Sequence, residues 1–411
     1  MRKMIDSKFD TLGYIPSDWD KFRLKYLCKI STGDSDTKDA DEEGSYPFYV
    51  RSPVIERSTK YTFDGEGILM AGDGAGAGRI FHHAYGKYAV HQRVYRLYDF
   101  KNINSNYLFY YIGEMFPHEM DKGSAQSTVP SVRLPMLTNL PVLLPPIDEQ
   151  AQIVSFLDEK CAAIDEAVTR QKEAIEKLKE YRKSVITKAV TKGLEDNTDM
   201  KDSCEGWCGL IPQNWEMVKI KYLFTIRKRI IGYDGPPVLS ITQRGILPKD
   251  VESNEGQIAA SYANYQIVNP GDFAMNHMDL LTGWVDISKF SGVTSPDYRV
   301  FTLNDSENND PRYMLYLFQL LYFNKVFYGL GAGISSLGRW RLQASVFKNF
   351  KLPVPPLEEQ KKIAYYISSK DNAIQTSIEK HQKIIDKLEE YKKSLVYNAV
   401  TGKIDCRKDG E

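Results

Sequence analysis

Leu144-Pro145-Pro146-Ile147-Asp148-Glu149-Gln150 and Val354-Pro355-Pro356-Leu357-Glu358-Glu359-Gln360 are one motif written twice, at an offset of 210 residues. The same offset pairs Lys177-Leu178-Lys179-Glu180-Tyr181-Arg182-Lys183-Ser184 with Lys387-Leu388-Glu389-Glu390-Tyr391-Lys392-Lys393-Ser394, and Ala189-Val190-Thr191 with Ala399-Val400-Thr401. Upstream, a second register holds at an offset of 196. There Ile15-Pro16-Ser17-Asp18-Trp19 matches Ile211-Pro212-Gln213-Asn214-Trp215, and Lys25-Tyr26-Leu27 matches Lys221-Tyr222-Leu223. The offsets differ by 14, so the second intervening segment is longer by that much. The chain is a tandem duplication with matched ends and divergent middles.

Each repeat opens with a Gly-, Tyr- and turn-rich stretch. Strand-like runs occur at Gly67–Met70 and Arg93–Tyr98, echoed by Gly271–Met275 and Tyr298–Phe301. Helix-like apolar runs follow at Tyr107–Met115 and Pro311–Phe327. Both stretches read as α+β domains with irregular sheets.

Each repeat closes with a long helix. Apolar residues recur in a heptad-like seam, in steps of three, four and seven with positions 160 and 370 as polar gaps, at Ile153, Leu157, Ile164, Val168, Ile175, Leu178 and Val185. The second seam runs through Ile363, Ile367, Ile374, Ile378, Ile385, Leu388 and Leu395, with Glu and Lys alternating on the flanks. Gln171 and His381 share one seam position, where a polar residue either fixes register or lies at a solvated edge. Neither helix has a partner within its own repeat, so the simplest way to bury both seams is to pack them together, antiparallel. At about 45 residues each they would form a rod of roughly 65 Å, a ruler between two domains. The expected class is therefore α+β: two tandem-duplicated α/β domains separated by two long helices packed as an antiparallel coiled coil, with pseudo-two-fold symmetry. The divisions fall at 1–145, 146–192, 193–355 (with a linker at 193–210) and 356–403, followed by a tail at 404–411.

Composition narrows the function. The 411 residues, 42% hydrophobic and 26% charged, are ordinary for globular domains and suggest two to three of them. No apolar run approaches the roughly 20 residues of a membrane span, and Met1–Asp6 has no signal-peptide core. Five scattered cysteines read as reduced thiols of a cytoplasmic protein. Lys plus Arg equals Asp plus Glu at 54 each, so bulk charge gives no warrant for nucleic-acid binding.

Catalytic motifs are missing. Gly72-Asp73-Gly74-Ala75-Gly76-Ala77-Gly78-Arg79 lacks the Lys-Ser/Thr of a P-loop and reads as a loop or tight turn. Cys204 and Cys208 have no second Cys or His pair nearby, and His82-His83 read as loop residues. There is no Gly-x-Ser-x-Gly, no His-Glu-x-x-His and no Asp/Asn-Pro-Pro-Tyr run. The chain alone is expected to be no enzyme.

Polar, basic and aromatic residues remain in both middles. The first holds Arg51, Arg79, Arg93 and Arg96, with Gln126 and Ser127 in a loop before the Pro-Pro motif. The second holds Arg227-Lys228-Arg229, Gln243-Arg244, Asn276-His277, Arg339 and Arg341, with Gly331–Ser336 as the loop in the equivalent place. Arg, Asn and Gln suit base edges, and Lys, Ser and Thr suit phosphates, although any protein surface carries such residues.

The whole layout resembles the specificity subunit of type I restriction–modification systems. The resemblance rests on the duplicated Ile-Pro-x-x-Trp openings, the Pro-Pro-x-Asp/Glu-Glu-Gln helix starts and the Tyr-Arg/Lys-Lys-Ser helix ends. It implies that the middles are target-recognition domains for double-stranded DNA and that the helices are spacers. It further implies two docked adenine-N6 methyltransferase subunits using S-adenosylmethionine, joined in the full complex by a restriction and translocation subunit that uses ATP and Mg. The target would be bipartite, its half-sites about one helical turn apart, roughly 34 to 36 Å. Two other readings compete: a coiled-coil scaffold with two protein-binding domains, and a nucleotide-binding enzyme built on the Gly-rich loop.

Overall fold

The structure is a computed structural model that describes residues 2–7, 12–123, 130–250, 259–333 and 340–407. It forms two compact units: Met1–Lys172 with Gln382–Glu411, and Glu173–His381. The principal elements, in chain order, begin with β1 (Asp20–Arg23), β2 (Lys29–Thr32), β3 (Gly67–Ala71), β4 (Phe81–Ala84) and β5 (Val94–Tyr98). Then come α1 (Ser105–Gly123), β6 (Pro141–Leu144) and α2 (Ile147–Lys192). The second repeat supplies β7 (Glu216–Lys219), β8 (Phe224–Arg227), β9 (Phe273–Met275), β10 (Val285–Ile287) and β11 (Arg299–Leu303). It ends with α3 (Pro311–Phe323), β12 (Lys351–Val354) and α4 (Leu357–Val400).

The divergent middles fold onto one plan. The first unit has an antiparallel sheet in the order β2-β5-β3-β4, and the second has β8-β11-β9-β10, also antiparallel. Met70 faces Tyr95 in the first sheet as Met275 faces Arg299 in the second. β3 is apolar throughout and buried along its whole length, as a strand covered on both faces must be. In the second unit Phe224, Phe301 and Phe318 pack edge-on at 5.2 to 5.4 Å between ring centres.

The duplicated motifs build a joint in each unit. β6 pairs with β1, and β12 with β7, which brings each Trp beside the start of a long helix. The indole N–H of Trp19 donates to Glu149 Oε2 at 3.2 Å, and that of Trp215 to Glu359 Oε1 at 2.9 Å. Gln150 donates to Pro145 O and accepts from Asn104 N; Gln360 does the same with Pro355 O and Asp310 N. Asn104 and Asp310 in turn cap α1 and α3, each accepting two backbone N–H groups of the first turn. The buried Tyr107 hydroxyl donates to Leu143 O and Val400 O, and that of Tyr313 to Pro353 O and Val190 O.

The contacts of Tyr107 with Val400 O and of Tyr313 with Val190 O reach across the repeats. In the first unit the start of α2 meets the end of α4 around Trp19, and Lys392 Nζ lies 2.7 Å from Asp165 Oδ2 further along. In the second unit the end of α2 meets the start of α4 around Trp215, and Arg182 pairs with Asp371. Within each unit the two helix segments are therefore antiparallel. Ile153, Leu157, Ile164, Val168, Ile175, Ile363, Ile367, Ile374, Ile385 and Leu395 are buried. Leu178, Val185, Ile378, Leu388, Gln171 and His381 are half-buried. Both helices end on a left-handed glycine, Gly193 at φ +77° and Gly402 at φ +68°. A Cβ on Gly402 would come within 2.4 Å of Pro16 Cγ, so the backbone must pass the Trp19 motif bare.

Two sequence expectations are corrected. His82 and His83 are not loop residues: they lie on β4, paired with Leu69 and Ile68. His82 Nε2 meets Ser52 O and His83 Nε2 meets Glu66 Oε1, both at 3.0 Å, so polar partners replace the apolar alternation that marks a strand. Arg96 is not surface material. It is buried with its guanidinium 4.1 Å from the Tyr98 ring centre and 4.5 Å from that of Phe63, and its Nε donates to Tyr88.

Candidate nucleic-acid interface

In the first unit, β3 runs into the Gly72–Gly78 loop, and β5 begins beside it. Asp73, on that loop, receives Arg51 Nη1 at 2.7 Å and Arg93 Nη1 at 2.9 Å, one on each carboxylate oxygen. Burial raises the Asp73 pKa, but the hydrogen bonds and charges of the two arginines outweigh it and hold the group below the usual carboxylate range. The chain returning at Pro130 docks here too: Gly74 N donates to Pro130 O, Val132 N to Gly72 O, and Asp73 bridges Ser131. A cavity of about 350 Å³ opens at this corner, lined by Thr32, Asp73, Gln92, Arg93, Tyr95 and Ser131. Gln126 and Ser127 lie outside the described residues. Arg79 turns elsewhere, with Nη2 2.6 Å from Asp121 Oδ1 on α1.

The corresponding corner of the second unit has other chemistry. Leu342 N donates to His277 O, as Val132 N does to Gly72 O. Two residues before Tyr95 stands Arg93; two before Arg299, its register equivalent, stands Asp297. Asp297 takes Arg341 Nη2 at 3.2 Å. A cavity of about 470 Å³ lies here, walled by Tyr262, Tyr265 and Tyr298 with Lys249, Asn276 and Asp279. The rings of Tyr262 and Tyr265 meet edge-on at 4.9 Å, and the buried Tyr262 hydroxyl has no hydrogen-bond partner among the described residues.

His277 is buried beneath this corner, and its Nδ1 also lacks a partner among the described residues. Burial, reinforced by the charges of Arg299 and Arg341, pushes its pKa down from 6.5 to about 3. The folded unit thus keeps the imidazole neutral where the unfolded chain protonates it. The stability this confers is complete above pH 6.5 and drains away as the pH falls toward 3, by up to about 1.4 kcal/mol per pH unit. Urea unfolding followed by tryptophan fluorescence, dominated by Trp207, Trp215, Trp284 and Trp340, should show that slope. His277→Gln should flatten it between pH 6 and 4; an unchanged slope would remove His277 as its source.

The remaining candidates scatter. Arg227 Nε donates to Thr302 Oγ1 at 2.9 Å, and Arg229 is committed to the buried Asp272. Lys228 and Arg244 are exposed, and Gln243 Nε2 donates weakly to Thr282 O at 3.4 Å. The Asn276 oxygen accepts Met278 N and Asp279 N within its own loop, and Arg339 lies outside the described residues. Sequence reasoning passed over Asp73, because an acid is not a DNA ligand by type, and the Tyr262–Tyr265–Tyr298 wall, whose members are dispersed along the chain. Cys204 is exposed and Cys208 buried, both as free thiols. Among the described residues no group of three or more His, Cys, Asp or Glu could hold a metal ion, and no helix is long and apolar enough to cross a membrane.

Two copies of one sheet-and-helix frame, each displaying its own polar corner, define an internally duplicated protein. The family model for the type I restriction modification DNA specificity domain matches residues 16–177 and again 212–390. The chain belongs to that family. It is 27% identical over 426 residues to the type I restriction enzyme MjaVIII specificity subunit of Methanocaldococcus jannaschii, covering 95% of this chain and 94% of that one. It is 24% identical over 379 residues to the EcoDI specificity subunit of Escherichia coli, covering 85% and 81%. A solved structure described as the basis of complex assembly and conformational transition of the type I R-M system matches with a TM-score of 0.65 at 14% identity, covering 95% and 99%. The chain is thus a specificity subunit with DNA-recognition domains. Like its relatives it is non-catalytic, and it works with the other subunits of a restriction–modification system.

Proposed function

We propose that the chain reads a bipartite, asymmetric target in double-stranded DNA, one half-site by each unit. On that target it positions two adenine-N6 methyltransferase subunits, together with a restriction and translocation subunit in the full complex. S-adenosylmethionine, ATP and Mg belong to those partners, which do the chemistry. One observation carries the reading. The two units share sheet order, helix caps and joint, yet at equivalent register the first presents Arg93 and the second Asp297. A shared frame suits two copies of one partner, and different corners suit two different half-sites. Zero formal net charge fits a subunit that borrows phosphate attraction from its partners.

The test is an exchange of Met1–Pro145 for the equivalent segment of a related subunit, with methylated sites mapped in a host that also expresses the methyltransferase. One half-site should change and the other should stay. Changes in both half-sites together would end the modular reading.

A further inference from the structure

The geometry points to Arg93, held by Asp73 together with Arg51, as a reader of a guanine in the first half-site. This rests on the DNA-reading function proposed above and adds which residue reads and which base. Arg51 and Arg93 use only their Nη1 atoms on Asp73. That leaves the Nε and Nη2 donors of each without a partner among the described residues. On Arg93 these form an edge of two parallel N–H groups, the pattern that meets O6 and N7 of guanine in the major groove. Its side chain is 63% exposed, whereas the Asp73 carboxylate beneath it is 17% exposed. The acid is therefore a fixed post and the arginine a reaching arm. Buttressing removes rotamer freedom before DNA arrives, so less is lost on binding.

The same acid argues against a phosphate clamp, because a fixed negative charge between two cations would repel a phosphate approaching both. A base edge has no such conflict. The second unit lacks this device, since Asp297 stands at the register of Arg93. The assignment accordingly concerns one half-site only.

The experiment uses the full chain co-expressed with its methyltransferase subunits, with methylated sites mapped across a host genome. Arg93→Lys keeps the charge but loses the two-pronged edge. It should relax the requirement for guanine at one position of one half-site by roughly tenfold or more and leave the other half-site intact. Asp73→Asn should relax the same position, because it frees the arm without touching it. Arg341→Ala, made in parallel, should leave that position strict. An unchanged motif methylated to the same extent in Arg93→Lys would overturn the inference. So would a uniform loss across all sites without relaxation, which is the behaviour of a phosphate contact. A wild-type complex whose sites form one uninterrupted motif would instead overturn the bipartite reading.

Discussion

Deleting Gln382–Glu411 should unfold the first unit and spare the second, although the deleted residues belong to the second repeat. Those residues bring Ile385, Leu395, Val396, Ala399, Val400 and Cys406 into the first unit's interior. They also bring the Val400 carbonyl that accepts from Tyr107. At about 1.5 to 3 kcal/mol for each large apolar side chain buried, the loss rivals the roughly 5 to 15 kcal/mol by which a domain is stable. Hydrogen exchange read by mass spectrometry should show protection lost over residues 12–172 and retained over 173–381. Equal protection of both stretches in the truncated chain would mean that the first unit closes without its last segment.

The second large effect lies at Arg2. Its guanidinium bonds both oxygens of Glu149, one of them at 2.8 Å, and pairs with Asp18 at 2.6 Å. The Arg2 and Glu149 side chains are 12% and 7% exposed, so this ion pair is largely out of water. Arg2→Ala leaves a buried carboxylate with the Trp19 indole as its remaining side-chain hydrogen-bond donor among the described residues and should cost the first unit about 3 to 5 kcal/mol. Replacing both partners, as in Arg2→Met with Glu149→Met, should recover most of that, because the cost comes from stranding one charge. The matching carboxylate in the second unit, Glu359, accepts from Trp215 and Asn214, both neutral. Glu359→Gln should therefore cost only about 1 kcal/mol. Urea midpoints read from Trp19 fluorescence, in a background lacking the other tryptophans, would decide the first comparison. A double variant as unstable as Arg2→Ala would refute the stranded-charge account.

The frame was legible in the sequence, and the reason lies in what its motifs do. Trp19, Glu149, Gln150, Tyr107 and Gly402 interlock through short, directional contacts that few other side chains satisfy. Both repeats kept the Trp, Glu and Gln of that set, and the repetition made those visible, whereas Tyr107 and Gly402 fall outside the matched registers. Long helices declared themselves in the same way, through a seam of period three and four. Recognition corners left no such trace. Asp73 lies in a run of glycines, and its meaning depends on Arg51 and Arg93, both some twenty residues away in sequence. β4 was hidden because its two histidines satisfy polar partners on opposite faces of the strand. A linear reading divides the chain where the helices begin and end. The compact units instead divide both helices internally, after Lys172 and after His381, a grouping that depends on contacts between residues more than two hundred positions apart.

That grouping also sets an order of events during synthesis. The second unit is one uninterrupted stretch of chain, Glu173–His381, and everything it needs has been translated when its last residue appears. The first unit joins residues 1–172 to residues 382–411, which are made after the whole of the second unit. Its sheet can form early, yet the surface around Trp19 and Tyr107 stays uncovered until the ribosome has made the segment around Val400 and Gly402. The half translated first is finished last, and a nascent chain halted between residues 173 and 381 carries an exposed hydrophobic joint around Trp19 and Tyr107.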